Sequence, residues 1–154
     1  MTYPPLILKG EVYFDQTTLS LYATDASMYQ MLPTMVTVPK DEEDVKKIVA
    51  FARKHNQPIL PRGSATSLAG QTVNTGIVID FTKYFNKILS IDPDAKTATV
   101  QPGVSRDQLN AVIAKHKLHF APDPATSNRS TFGGMIANNS SGTKSILYGK
   151  TIDH

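Results

Sequence analysis

The stretch PRGSATSLAGQTVNTG, Pro61–Gly76, has an unusual composition for a loop between two apolar segments. It holds three glycines and five hydroxyl side chains, with no aromatic residue and a single charge, at Arg62. Small residues let a ligand approach the backbone, and glycine permits the positive φ that turns successive N–H groups toward one point. Those groups, helped by hydroxyls, can bind phosphate oxygens without lysines. From residue types alone, a pyrophosphate cradle over 62–71 and a plain glycine-rich connector are equally supported.

The sequence before this loop predicts a β-α-β unit. Thr34–Pro39 alternates and is rich in β-branched residues, which is typical of a strand. Residues 40–56 carry acids in the first turn, an apolar stripe, and basic residues in the last turn, which predicts a helix. Residues 57–61 then read as a second short strand.

The sequence after the loop predicts further strands and a helix. Gly76–Phe81 is a continuous apolar run typical of a buried strand. Lys87–Ile91 and Thr97–Gln101 flank the turn-rich DPDAK and predict a hairpin. SRDQ supplies a capping box for a helix over Arg106–Lys117. The fold class expected is therefore α+β, without a doubly wound parallel sheet.

A second loop of similar chemistry covers Phe120–Gly142, with two prolines, three glycines and no sustained periodicity. Structureless loops longer than about 12–15 residues in a compact domain are usually functional or disordered. Phe132, Met135 and Ile136 make this one too apolar for simple disorder, so we expect it to serve function.

The composition and charge of the chain exclude several classes of partner and site. The 154 residues suffice for one domain, and the net charge of +3 comes from scattered side chains, so a nucleic-acid partner is not indicated. The absence of cysteine excludes disulfides, zinc–thiolate sites and thiol nucleophiles. The N-terminus has only a short apolar run and no cleavage pattern, which predicts neither a signal peptide nor a membrane span, and a cytoplasmic location is expected.

Individual titratable residues point to no catalytic or metal site. His116 and His119 lie three positions apart without a nearby carboxylate, so we interpret them as solvated residues at a helix end. Asp25 is interpreted as a helix N-cap and Asp123, between two prolines, as a turn residue. Gly-x-Gly-x-x-Gly, the P-loop pattern and Gly-x-Ser-x-Gly do not occur, which excludes the common nucleotide motifs and the hydrolase elbow.

Three stretches together resemble a known family: residues 61–92, residues 98–113 and residues 122–154. They are similar, in order and spacing, to the FAD-binding (PCMH-type) domain of the p-cresol methylhydroxylase/vanillyl-alcohol oxidase superfamily. The nearest branch contains the FAD-linked component of glycolate oxidase and the D-lactate and D-2-hydroxyglutarate dehydrogenases. With residues 22–49, which resemble the opening of that domain, the likeness spans residues 22–154.

The resemblance implies two α+β subdomains with FAD between them, the second incomplete in this chain. It implies residues 1–33 as an N-terminal extension and 34–154 as the FAD-binding domain, truncated at its C-terminal end and without a substrate domain. In this branch the substrate-binding basic residues and a metal site lie in that further domain, so no catalytic residue is assigned and a fragment is expected to be inactive alone.

The resemblance also implies the cofactor-binding residues, in two groups. The first group surrounds the pyrophosphate and consists of Arg62, Gly63, Ser64, Ala65, Thr66, Ser67, Gly70 and Gln71. The second group meets the flavin and ribose and consists of Pro122, Ser130, Thr131, Gly133, Gly134, Asn138, Asn139, Ser140, Ser141 and Gly142.

Two departures from the family pattern bear on the cofactor. The first loop usually reads Arg-Gly-Gly-Gly-Thr, whereas here Ser64 and Ala65 replace two glycines. Members with covalent FAD carry a histidine near the position of Thr66; none lies there, so noncovalent FAD is expected.

The function that the resemblance implies is oxidation of a small 2-hydroxy acid, such as D-lactate or glycolate, by hydride transfer to flavin, with an unknown electron acceptor. Two alternatives stay open: an oxidoreductase of another branch, such as an aldonolactone oxidase or an ether-lipid synthase, or a nucleotide-binding module without catalysis.

Overall fold

The computed structural model describes residues 4–154, which form two compact units, the first ending at Tyr84 and the second beginning at Phe85. The elements of the first unit are β1 (Glu11–Tyr13), α1 (Gln16–Leu21), β2 (Met35–Val38), α2 (Glu42–Lys54), β3 (Ile59–Arg62) and β4 (Ile77–Asp80). Those of the second are β5 (Ile88–Asp92), β6 (Thr97–Val100), α3 (Arg106–Ile113), α4 (Phe132–Asn138) and α5 (Ser145–Tyr148), with 3₁₀ turns at Ala114–His116 and Thr151–Asp153.

The first unit is built on a four-stranded sheet with the order β1-β2-β4-β3. β2 and β3 both run parallel to β4, and β1 is antiparallel to β2. The predicted β-α-β unit is confirmed, with β4 inserted between its two strands. β2 and β4 are buried along their whole length, which explains their continuous apolar sequences.

Helix α2 covers the core of this sheet. Ile48 and Ala52, one turn apart, pack against Met35, Ile77 and Ile79. Acidic residues fill its first turn and basic residues its last, as the sequence predicts. The helix therefore packs on β2 and β4, the two central strands of the sheet.

Two elements of this unit escaped the sequence analysis. β1 is only three residues long, too short for a recognisable alternation, and it forms by pairing with β2. α1 begins at an N-cap, Asp15, whose carboxylate accepts the N–H of Thr18 at 2.9 Å. The interpretation of Asp25 as an N-cap is wrong, because no helix follows it.

The second unit contains the predicted hairpin and helix. β5 and β6 pair antiparallel, with an irregularity between Ile88 and Ser90. The capping box of α3 is confirmed, since the Ser105 side chain accepts the N–H of Gln108 and the Gln108 side chain accepts the N–H of Ser105. The helix continues as a 3₁₀ turn and stops at Lys117, which has a left-handed φ of 57°.

Helix α4 contradicts the expectation that Phe120–Gly142 lacks regular structure. Its adjacent glycines give it poor intrinsic helix propensity, so local sequence hides it. Tertiary packing stabilises it instead: Phe132 and Met135, three positions apart, are buried, and Phe132 packs against Val104 and Leu109. This places several predicted site residues on one short helix.

Candidate functional site

The first predicted loop leaves the sheet at Arg62, the last residue of β3. Its side chain is buried, and its guanidinium donates hydrogen bonds to three backbone carbonyls. Nη1 reaches the oxygens of Tyr22 and Thr72 at 2.9 Å each, and Nη2 reaches that of Thr24 at 2.8 Å. The guanidinium also lies 5.1 Å from the centre of the Tyr22 ring. Burial lowers the pKa of Arg62, and these bonds and nearby acids compensate the buried charge.

Tyr22 and Asp80 lie beside this guanidinium. The Tyr22 hydroxyl donates to Asp80 Oδ2 at 2.5 Å, while Asp80 Oδ1 accepts both the N–H and the hydroxyl of Thr82 at 2.7 Å. Burial, reinforced by the hydrogen bond to Asp80, raises the pKa of Tyr22 well above its usual value. The phenol therefore stays protonated and acts as a donor.

Residues 22–31 form a segment, the 22–31 segment, that contacts the first loop. Asp25, which lies in this segment, links it to the loop. One carboxylate oxygen accepts the N–H of Ser27 at 2.9 Å, and the other accepts the N–H and hydroxyl of Thr72 at 3.3 and 3.0 Å. Burial acts to raise the pKa of Asp25, but hydrogen bonds from Ser27 and Thr72 outweigh it and lower that pKa. Ala26 adds a backbone bond, its N–H donating to Ala65 O at 3.1 Å.

The loop itself presents unused hydrogen-bond donors. Within residues 4–154, the amide N–H groups of Ser64 to Leu68 have no hydrogen-bond acceptor. Ala65 has a left-handed φ of 55°, the kind of conformation that turns neighbouring amides to one side. The Ser64 side chain is exposed, and Gly63, Thr66 and Ser67 are half-buried. Unused backbone donors and hydroxyl side chains therefore lie together in a loop that is not fully buried.

Gly70 and Gln71 end this run of free amides. Gly70 has φ of 77°, a conformation that favours glycine, and a Cβ placed there would also lie 2.7 Å from Cδ2 of the Tyr29 ring. The Gln71 side chain accepts the N–H of Ala69 at 3.2 Å. Both residues shape the loop.

In the second unit, Pro122, Ser130 and Thr131 are buried. The Ser130 hydroxyl lies 2.8 Å from that of Thr126, and its carbonyl accepts the N–H of Arg106 at 3.1 Å. These three predicted site residues hold the segment in place and present little surface.

The two adjacent glycines of α4 have different surroundings. Gly133 packs against Pro102, whereas a Cβ at Gly134 would have only Thr131 Oγ1 near it, at an ordinary 3.4 Å. Asn138, one turn further, is exposed, with its amide donating to Gly134 O at 3.1 Å. Gly134 and Asn138 therefore form the accessible face of this group.

The residues after α4 bind mainly to one another. Asn139 has a left-handed φ of 46°, and its side chain accepts the N–H of Ile152 at 3.0 Å. Ser140 O accepts the N–H and hydroxyl of Thr151 at 3.0 and 2.8 Å. Ser141 is exposed.

Asp123 fixes the end of this second group. A Cβ at Gly142 would fall 2.1 Å from the Asp123 carbonyl oxygen, so only glycine fits against it. The Asp123 carboxylate accepts the Lys144 N–H at 2.9 Å and the Thr143 hydroxyl at 3.0 Å. The Lys144 N–H lowers the pKa of Asp123, which keeps it ionised as a turn residue.

Each unit thus gathers its own group of predicted residues. Sequence reasoning missed Tyr22, Thr72 and Asp80, which surround Arg62. Only the position of Asp80, at the carboxyl end of a parallel strand, could have suggested a role, since ligands bind at that end. In the described part of the chain, no group of three His, Asp or Glu side chains is arranged to hold a metal.

Residues 33–154 match the family described as FAD binding domain, and the chain belongs to that family. Its relatives include D-2-hydroxyglutarate dehydrogenase of Pseudomonas putida, 41% identical over 149 residues, which are 95% of this chain and 15% of that protein. The glycolate oxidase component GlcD of Bacillus subtilis is 40% identical over 153 residues, 96% of this chain and 32% of that protein. The chain therefore spans a third or less of these relatives.

Solved structures agree on the fold. 6-Hydroxy-D-nicotine oxidase of Arthrobacter nicotinovorans superposes with a TM-score of 0.83 at 25% identity, over 99% of this chain and 34% of that one. Alkyldihydroxyacetonephosphate synthase gives 0.79 at 25% identity, over 90% of this chain and 28% of that one. The family resemblance and the α+β FAD-binding fold expected from the sequence are confirmed. None of the helices within residues 4–154 is long and apolar enough to cross a membrane.

Proposed function

We propose that this chain is the FAD-binding part of a flavin-dependent oxidoreductase that oxidises a small 2-hydroxy acid of the D-lactate or glycolate type. Two relatives that are 41% and 40% identical are named as a D-2-hydroxyglutarate dehydrogenase and a glycolate oxidase component. The solved structures of other enzymes are 25% identical. This difference favours the hydroxy-acid branch over an ether-lipid synthase, and an aldonolactone oxidase stays an alternative.

The observation that carries FAD binding is the row of unused amides from Ser64 to Leu68. Successive N–H groups turned to one side form an anion-binding concavity, and a diphosphate is the anionic part of FAD. The hydroxyls of Ser64, Thr66 and Ser67 can add donors, so the residues present fit the group. Gly63 allows close approach of the backbone.

The second group would hold the flavin and ribose. Gly134, Asn138 and Ser141 are accessible to a ligand, and the remaining members, Pro122, Ser130, Thr131, Gly133, Asn139, Ser140 and Gly142, would set the path of the backbone. When bound, FAD supplies the hydride acceptor; the chain supplies binding, orientation and exclusion of water. We place the substrate-binding residues outside this chain, because it spans so little of its relatives.

Noncovalent attachment is part of the proposal, because no histidine occurs between His55 and His116. The partners proposed are a small-molecule substrate and an electron acceptor of unspecified kind, without nucleic acid, and the location proposed is the cytoplasm. Residues 1–33 are proposed to lead into the FAD-binding domain.

The proposal is tested on the purified full-length protein. We expect a yellow protein that releases one FAD on denaturation and reduces an artificial acceptor with D-lactate, glycolate or D-2-hydroxyglutarate. A protein that binds FAD but oxidises none of these acids would belong to another branch. A protein that binds no FAD would contradict the proposal and favour the nucleotide-binding module.

A further inference from the structure

The 22–31 segment is tied to the first loop at several independent points. Arg62 donates to two of its carbonyls, at Tyr22 and Thr24, and to Thr72 further along the loop. Asp25 accepts both donors of Thr72. The backbone bond from Ala26 to Ala65 and the ring of Tyr29 against Gly70 add two more ties. These contacts attach the first loop to the 22–31 segment.

The direction of the Arg62 side chain decides its role. Both terminal nitrogens donate to backbone oxygens within the protein, and the side chain is 8% exposed. The free amides belong to the following residues, Ser64 to Leu68. The guanidinium is therefore engaged with the 22–31 segment, and within residues 4–154 the loop amides have no acceptor.

We propose that Arg62, Asp25 and Thr72 form a clamp that sets the geometry of the first loop for the FAD diphosphate, and that Arg62 is a positioning residue and not a phosphate ligand. This inference rests on the proposed function. It adds the 22–31 segment to the cofactor site and gives Arg62 a structural task within it.

The physical reason is the composition of the loop. A loop of small residues has few side-chain contacts of its own, so ordering it around a ligand costs conformational entropy. Hydrogen bonds to the two ends of the loop order it in advance and reduce the cost of binding. A buried guanidinium bonded to three carbonyls suits this task, because its donors have fixed directions.

The first test compares charge with geometry at Arg62. Arg62→Lys keeps the positive charge but cannot reach three carbonyls, so we expect FAD affinity of the full-length apoprotein to fall about tenfold or more. Riboflavin, which lacks phosphate, should lose little affinity. The matched control is Arg53→Lys at the exposed end of α2, which should bind both flavins as the wild type does.

The second test uses Thr72 and keeps the protein folded. Thr72→Val removes the hydroxyl bond to Asp25 with little change of shape, and should lower FAD affinity several-fold while Thr72→Ser retains it. Thermal unfolding of each variant reports whether the fold is intact. A general loss of stability would weaken FAD and riboflavin together, whereas a misplaced loop changes the ratio of the two affinities.

In the third test, a site governed by charge alone and the clamp predict opposite changes in FAD affinity. Asp25→Asn removes a negative charge near the diphosphate, so a site governed by charge alone would bind FAD more tightly. In the clamp, both carboxylate oxygens accept N–H groups, and an amide can replace only one of them. We therefore expect weaker FAD binding.

The outcomes separate this inference from the proposed function. A wild-type protein that binds no FAD contradicts both. A wild type that binds FAD, with Arg62→Lys and Thr72→Val binding equally well or Asp25→Asn binding more tightly, overturns the clamp alone. Selective loss of FAD affinity in all three variants supports it.

Discussion

Gly133 lies directly against Pro102: its N–H donates to the Pro102 carbonyl at 2.9 Å, and a Cβ built on Gly133 would lie 2.8 Å from the Cβ of Pro102. The next residue, Gly134, has no comparable neighbour within the described residues. Packing therefore requires glycine at position 133, whereas the described residues leave room for a side chain at position 134.

This contrast predicts different effects of the same substitution. Gly133→Ala should destabilise the protein by about 1–3 kcal/mol, because the methyl group overpacks against Pro102. Gly134→Ala should leave stability unchanged or raise it by up to about 1 kcal/mol, since alanine favours the helix. Urea unfolding of the two variants measures both values.

Flavin binding should respond to Gly134→Ala even though stability does not fall. Gly134→Ala is expected to weaken FAD binding despite its intact fold, because the cofactor would approach this backbone. Flavin content after purification and titration of the apoprotein measure the effect. If Gly134→Ala bound FAD as the wild type does, the proposed contact at this glycine would be wrong.

Ala65 should gain stability on replacement by glycine. Its φ of 55° is unfavourable for a residue with a Cβ, and glycine relieves that cost. Part of the gain is offset by the greater entropy of the unfolded chain, so we expect a net stabilisation of up to about 1 kcal/mol. Thermal unfolding measures it.

Ala69→Gly is the matched control, at a position in the same loop that lacks a positive φ. It should destabilise by about 0.5–1 kcal/mol, since only the unfolded chain gains freedom. Equal destabilisation by the two alanine-to-glycine changes would contradict a left-handed conformation at Ala65.

Asp44 should make stability depend on acid pH. Its carboxylate is fully buried and accepts the N–H groups of Lys9, Gly10 and Lys40 at 2.9–3.0 Å. Burial acts to raise the pKa of Asp44, but the N–H groups of Lys40, Lys9 and Gly10 outweigh it and lower that pKa below 3.8. Because the pKa of Asp44 is lower in the folded protein than in the unfolded chain, the ionised carboxylate stabilises the fold at pH values above the unfolded-state pKa. That stabilisation is lost as the pH falls through the folded-state pKa.

Asp44→Asn should therefore destabilise by about 2 kcal/mol at neutral pH, and by less below the unfolded-state value of 3.8. Unfolding free energies measured at pH 7 and pH 3 give the comparison. Glu42→Gln, at an exposed position of the same helix, is the control and should change stability little at either pH. A constant deficit for Asp44→Asn would show that the carboxylate charge is not involved.

Flavin should be released intact by denaturation. The first loop carries no histidine that could attach it, so acid precipitation of the full-length protein should leave the yellow colour in the supernatant. Colour that stays with the precipitated chain would contradict noncovalent binding.

The sequence by itself determined those helices and strands that are specified by residues close together in the chain. The acid-to-base order of α2, the capping box of Ser105 and Gln108, and the apolar run of β4 each follow from neighbouring residues, and all three appear in the structure. The family and the two loops were also recognisable, because their small and hydroxyl residues occur in a characteristic order.

Only the tertiary structure decided the features that depend on distant partners. β1 needs β2, and α4 needs a buried site for Phe132, since neither is favoured by its own sequence. Arg62 illustrates the same limit: the family resemblance implies it as one of the residues around the pyrophosphate, but the hydrogen bonds from its guanidinium to the carbonyls of Tyr22 and Thr24, about forty positions earlier, are visible only in the fold. A pairing over such a separation leaves no periodic trace in the sequence, because backbone carbonyls accept hydrogen bonds whatever side chain accompanies them.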